Sequence, residues 1–340
     1  MADKTPKKPN FIWRSILRDG KGVDKKDVIK GYSLRNFFRL YFRRISNIMT
    51  INLFYIFGNF PVLFLFLALS GYFSNLSSEP ASPFFSVLYG IKTAGGTNPA
   101  FGVLFGAWGK MAETAAPTVT TYILLGIGAL FIITFGLVNV GCTYLIRETV
   151  RGEHIFIFDD FFSAIKNNFG KGLLFGIIDC AMLFACGYSI MWYYVNYNTY
   201  YILFFCSIFM TAVYLFLRVY MYLMIVTFDM KFTKMLKNSF IFSILNLGKN
   251  VIALLACIAL CVLAFMGSTL FMPIGIIIAI LILFSTMTYI SVYAGYPKVE
   301  KLMIDPYYKN NPKEAEEAEE DARADIPERT GKGHIENDED

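Results

Sequence analysis

The sequence predicts an all-α integral membrane protein with six transmembrane helices, and three observations predict it. Apolar residues make up 56% of the 340, a share that a soluble domain tolerates only when they are dispersed. They are instead gathered into charge-free blocks, each about as long as a helix rising about 1.5 Å per residue needs to cross a roughly 30 Å hydrocarbon core. Amphipathic stretches also recur before alternate blocks, which suggests three repeats of an elbow helix followed by a helical hairpin.

The chain opens with a polar, basic segment, residues 1–32, in which no apolar core of a cleavable signal stands out. A membrane domain is expected over 33–301. Its first elbow carries Leu34, Phe37, Phe38, Tyr41, Phe42 and Ile45 at helical spacing, with Arg35, Arg39 and Arg43 on another face and Ser33 placed to cap it. The first span, Asn47 to Tyr72, is interrupted by Pro61, where a kink or a broken helix is expected. An external loop over 73–117 contains "YGIKTAGGTNPAFGVLFGAWGK", too apolar for disorder and too interrupted for a span. Short helices resting on the outer membrane surface or capping the bundle are expected there. Val119 to Ile146 is the second span.

The second elbow reads "DDFFSAIKNNFGKGLLFGII" from Asp159, and the third begins in "DMKFTKMLKNSFIFSILNLGKN" from Asp229. Phe158 to Phe169 and Phe228 to Phe240 follow a helical period, and Asp159 and Asp229 are placed to cap them. Tyr41 and Asn47, Phe162 and Asn168, and Phe232 and Asn238 share one six-residue spacing, which aligns the three units; the competing reading is that any multi-span protein has basic amphipathic elbows. The remaining spans are Gly172 to Tyr194, Tyr200 to Thr227, Val251 to Met272 and Ile274 to Tyr296. Residues 302–340 turn acidic, with "KEAEEAEEDARAD", and read as a disordered tail.

Thirteen Lys and Arg residues precede the first span, whereas the long external loop has only Lys92 and Lys110 and the turns after the third and fifth spans have none. The positive-inside rule then puts both termini in the cytoplasm of a multi-pass cell-membrane protein, with the basic elbows on anionic lipid headgroups.

Asp179 and Arg218 are the charged residues well inside the spans. Counted from flanking charges, they lie roughly 12 and 16 Å deep, and Asn139 and Asn52 reach about 12 Å by the same rise. Four helices therefore offer a polar group at one level. One reading is a buried ion pair with amide hydrogen bonds that fixes helix register; the other is the floor of a cavity that holds a polar solute.

The six cysteines fall within the spans, and His154 and His334, the two histidines, fall outside them, so no metal site is expected. Phosphate loops, paired helical histidines and nucleophilic triads are missing, which argues against an enzyme and against a bound cofactor. The regular arginines of the amino terminus suit a membrane surface better than nucleic acid.

"INLFYIFGNFP" at Ile51, "DDFFSAIKNNFGKGLLFGII" at Asp159 and "FDMKFTKMLKNSFIFSILNLGKNVIALL" at Phe228 resemble the YesL-type membrane proteins of bacteria, a family with a domain of unknown function. The resemblance covers most of the membrane region but not the basic extension, the enlarged loop or the acidic tail. It implies a multi-span protein associated by gene context with carbohydrate uptake, and it supplies no catalytic residues. An accessory or permease-like component of an uptake complex is the expected function. The alternatives are an independent small-solute carrier or channel that uses the polar layer, and a membrane scaffold or signalling protein.

Overall fold

The computed structural model describes residues 31–312 apart from 95–97 and 154. Most of the basic segment, the tail from 313, His154 and His334 lie outside the described residues.

Elbow helix α1 (Leu34–Arg43) starts at Ser33, whose hydroxyl accepts from the Asn36 amide at 3.3 Å. It turns at Arg44 into α2 (Ile45–Gly58), and α3 (Pro61–Leu69) completes the first span after a 49° bend. Proline at the first position of α3 is cheap, because that N–H has no helical partner in any case. The return helix is α6 (Val119–Arg151). The second unit is α7 (Ile157–Asn167), α8 (Phe169–Val195) and α9 (Tyr197–Thr227). The third has elbow α10 (Phe232–Leu245), outgoing α11 (Leu247–Leu270) and a return helix in pieces: α12 (Met272–Ile278), a π segment (Ala279–Leu283), α13 (Phe284–Val299), a second π segment (Glu300–Ile304) and α14 (Asp305–Asn310). Among the described residues five helices are thus long and apolar enough to cross a membrane, and the bent pair brings the number to six when it is taken as one span.

The three elbows turn with one geometry. Arg44 has φ −113° and ψ 23°, Asn168 φ −115° and ψ 18°, and Asn246 φ −111° and ψ 22°. This equivalence corrects the sequence alignment: Asn168 is at its hinge, but Asn47 and Asn238 are not, and Arg44 and Asn246 take those places. Asparagine suits such breaks because its side-chain amide adds a donor to the carbonyl four residues earlier, as Asn168 does to Ala164 at 3.0 Å, Asn196 to Trp192 at 2.9 Å and Asn59 to Tyr55 at 2.9 Å.

Capping differs from expectation at two elbows. Asp160, not Asp159, accepts from the Phe156 amide at 2.8 Å, and Asp229 stands outside α10 and pairs with Lys171. The aromatic stripes divide between two environments: Tyr41 and Phe161 are buried in the bundle, while Phe42 and Phe162 face outward.

The returning helices α6, α9 and α13 pack on one another, and each outgoing helix packs on its own return helix. Glycine sets the closest approach. A Cβ on Gly136 of α6 would stand 2.4 Å from the Gly176 Cα of α8, so this crossing requires bare backbone on both sides. The fully buried side chains, among them Ile51, Leu145, Tyr220, Met224 and Tyr289, sit mainly in the elbow half of the bundle. Toward the other end, outward apolar residues such as Phe184, Phe209 and Phe265 cover the helices.

The loop over 73–117 holds a two-stranded antiparallel ribbon, β1 (Ser74–Pro80) with β2 (Met111–Pro117), paired from Ser74↔Pro117 to Pro80↔Met111. Helices α4 (Phe85–Thr93) and α5 (Pro99–Trp108) pack on each other at the ribbon's far end. Short helices were expected, but not the ribbon, and α4 and α5 do not cap the bundle. At the other end of the chain the last helix runs through Asn310, so the boundary expected at 302 falls inside it.

Candidate functional site

Asp179 on α8 and Arg218 on α9 are in contact. Arg218 Nε donates to both Asp179 oxygens at 2.8 Å. Tyr214 and Tyr222, one turn to either side of Arg218 on the same face, donate to Oδ1 and Oδ2 at 2.7 Å each. One stripe of α9 therefore grips a single carboxylate three times. Asp179 is 0% exposed, and an arginine with two hydroxyls supplies the hydrogen bonds that such burial demands. These two tyrosines escaped the sequence reading, although the Tyr214, Arg218, Tyr222 spacing of four residues was its visible signal.

Asn139 of α6 joins the cluster. Its Oδ1 accepts from Arg218 Nη2 at 3.1 Å while its Nδ2 donates to the Phe135 carbonyl at 2.8 Å. The guanidinium also lies over the rings of Tyr222 at 5.2 Å and Phe135 at 5.6 Å, a favourable place for a delocalised cation. Its remaining edge faces a cavity of about 140 Å³, whose polar walls include Asn139, Thr143, Thr288 and Ser291. The Arg218 side chain is 22% exposed where Asp179 is sealed, so the pair has a closed end and an open end.

Asn52 does not belong to this cluster. Its Nδ2 donates to the Ala279 and Ile280 carbonyls at 2.9 and 2.6 Å, and its Oδ1 accepts from the Ser285 amide at 2.9 Å. Those are backbone groups of the first π segment and the residues beside it, where the wider turn displaces the ordinary helical bonds. The four-residue layer expected from depth therefore resolves into a three-residue cluster and a separate lock, because equal depth does not imply equal rotational phase.

A second polar group gathers at the elbow end. Arg147 donates to the Val226 carbonyl and, at 3.2 Å, to the Thr227 hydroxyl, and so caps the end of α9. Its neighbour Glu148 pairs with both Arg147 and Arg151, and Arg151 reaches Glu153 at 2.6 Å. Arg44 donates to the carbonyls of Gly152 and Glu153. Burial, followed by the Glu148 carboxylate beside it, pushes the Glu153 carboxyl up to about 7. Among the described residues no group of His, Cys, Asp and Glu could hold a metal ion.

The family described as a protein of unknown function, DUF624, matches residues 98–190. Over those residues the chain is similar to that family. DUF624 is the YesL-type family to which the sequence motifs pointed. The DUF624 segment runs from the start of α5 through most of α8, so it includes Asn139 and Asp179 and leaves out Arg218, Tyr214, Tyr222 and Asn52. Comparison with curated proteins and with solved structures finds no match.

Proposed function

We propose that the protein is an accessory, permease-like component of a bacterial carbohydrate-uptake complex, with the elbow end and both termini in the cytoplasm. The carbohydrate class rests on the YesL-type resemblance and the orientation on the basic elbows. The observation that carries the accessory reading is the saturation of Asp179. A carrier that cycles through a carboxylate needs that group to exchange partners with water or solute, whereas this one is sealed under an arginine and two tyrosines. The charge in the membrane is thereby committed to holding α8 against α9.

Two measurements on the full chain test this. Deleting the protein should lower uptake of a carbohydrate through a separate permease, and the purified chain in proteoliposomes should move no sugar. Sugar flux by the chain alone would overturn the reading. A single cysteine at residue 98 should react with impermeant reagent from outside and one at residue 325 only after lysis; the reverse pattern would overturn the orientation.

The second reading, an independent small-solute carrier, is favoured by the cavity beside Arg218. It predicts solute flux that is lost when the cavity is filled.

A further inference from the structure

The bundle closes as a ring of three similar units. In two of its seams the outgoing helix of one unit packs on the returning helix of the preceding one: α8 on α6 through Gly176 and Gly136, and α2 on the last helix through Asn52. The third seam, α11 against α9, is different. The two helices are tied at the elbow end, where Tyr220 donates to Asn250 Oδ1 at 2.9 Å and accepts from Asn246 at 2.8 Å. Beyond that tie they scarcely approach each other, and the Arg218 cavity occupies the gap.

We infer that this seam is a lateral binding site for a small, uncharged, amphipathic molecule whose acceptor oxygen is received by the unused edge of the Arg218 guanidinium. A guanidinium has five N–H donors. Nε is spent on Asp179 and one Nη2 donor on Asn139, and no protein acceptor lies within hydrogen-bond distance of Nη1 among the described residues. Thr288 and Ser291 add hydroxyls at the polar side of the cavity, and Phe216, Leu254 and Met287 form its apolar walls. An acceptor oxygen on a short apolar body matches that division.

Charge narrows the class. Asp179 already neutralises Arg218, so an anion would add an uncompensated charge in a poor solvent. An apolar guest would leave the Nη1 donors without an acceptor. Size narrows it again: a cavity of about 150 Å³ holds benzene, so the 140 Å³ here admits roughly six non-hydrogen atoms. The inference goes beyond the accessory function and does not depend on it, because binding is read on the isolated chain and uptake in cells.

The test uses the full chain in lipid nanodiscs and saturation-transfer NMR with N-methylacetamide, acetate and benzene as probes. N-methylacetamide should give a saturable signal, with acetate and benzene at least about tenfold weaker, as the loss of about one charge-assisted hydrogen bond requires. Ser291→Met fills the cavity without touching the Asp179 and Arg218 pair and should abolish the signal at an unchanged unfolding midpoint. Leu254→Trp, from the opposite wall, repeats the test should the first variant fail to fold. A non-saturable N-methylacetamide signal, meaning a cavity that holds water only, would overturn the inference. So would acetate binding as tight, or a signal that survives both filled variants.

Discussion

Removing one member of the Asp179 clamp at a time should reveal a unit rather than a set of contacts. Tyr214→Phe and Tyr222→Phe each delete one 2.7 Å hydrogen bond to a carboxylate and leave the ring in place. Side-chain hydrogen bonds between membrane helices contribute about 0.6 kcal/mol on average and at most about 1.7, and a charged acceptor belongs at the upper end, so each variant should lose about 1 to 1.5 kcal/mol. Asp179→Asn strands the guanidinium, and Arg218→Gln strands the carboxylate. The cost of a central membrane charge on insertion scales puts each at about 3 kcal/mol. The double variant has no charge to strand, so it should recover at least about 1 kcal/mol of the summed loss. Reversible unfolding in mixed micelles, read as a double-mutant cycle, measures that coupling. Additive losses for Asp179→Asn and Arg218→Gln would refute the account, since residues in contact by two 2.8 Å bonds cannot be independent.

Three further outcomes follow from other contacts. Asn52→Leu removes three hydrogen bonds to the π segment and its flank and should cost about 2 kcal/mol, with faster amide exchange at Ser285; unchanged exchange there would dissociate Asn52 from the π segment. Gly136→Leu should force α6 and α8 apart and lower the unfolding midpoint by several degrees, whereas Gly187→Ala, with open space around its Cβ position, should not move it, and equal effects would discredit the glycine crossing. Glu153 carries a folded pKa raised from 4.5 to about 7, so its contribution to stability is fully present below about pH 4.5 and is lost as pH rises through about 7. Glu153→Gln should therefore be more stable than the parent above about pH 7 and flatten the unfolding profile between about pH 5 and 8. Parallel profiles would contradict that assignment.

Depth along a helix was legible in the sequence, and rotation about its axis was not. Counting from flanking charges brought Asp179, Arg218 and Asn139 to one level, and they meet; the same count brought Asn52 there, and it faces the last helix instead. Tyr214 and Tyr222 were visible only as members of an apolar run, since a tyrosine spacing becomes a polar signal once the arginine between them is known to have a buried partner. The ribbon was illegible for a different reason: "SNLSSEP" and "MAETAAP" lack the alternation that marks a strand and hold a single β-branched residue, Thr114, between them, and their pairing depends on the two helix ends that hold them together. There Thr118 Oγ1 donates to the Phe73 carbonyl at 2.5 Å. The elbows were found by period, but their register was set wrongly because an aromatic-to-asparagine spacing is weaker evidence than a shared hinge conformation.

The continuous helix from Met272 to Asn310 stays packed on the bundle as far as Ile304, with Val299 buried and Glu300 accepting from the Tyr32 hydroxyl at 2.8 Å. Its apolar part ends near Tyr296, and from Pro297 to Asn310 it carries on for roughly 20 Å at about 1.5 Å per residue. Mobile ions at physiological strength damp a charge over about 8 Å, so that distance exceeds two screening lengths. Lys309 near the far end of the helix is therefore electrically separate from Lys298 near the start of that stretch, although one helix carries both.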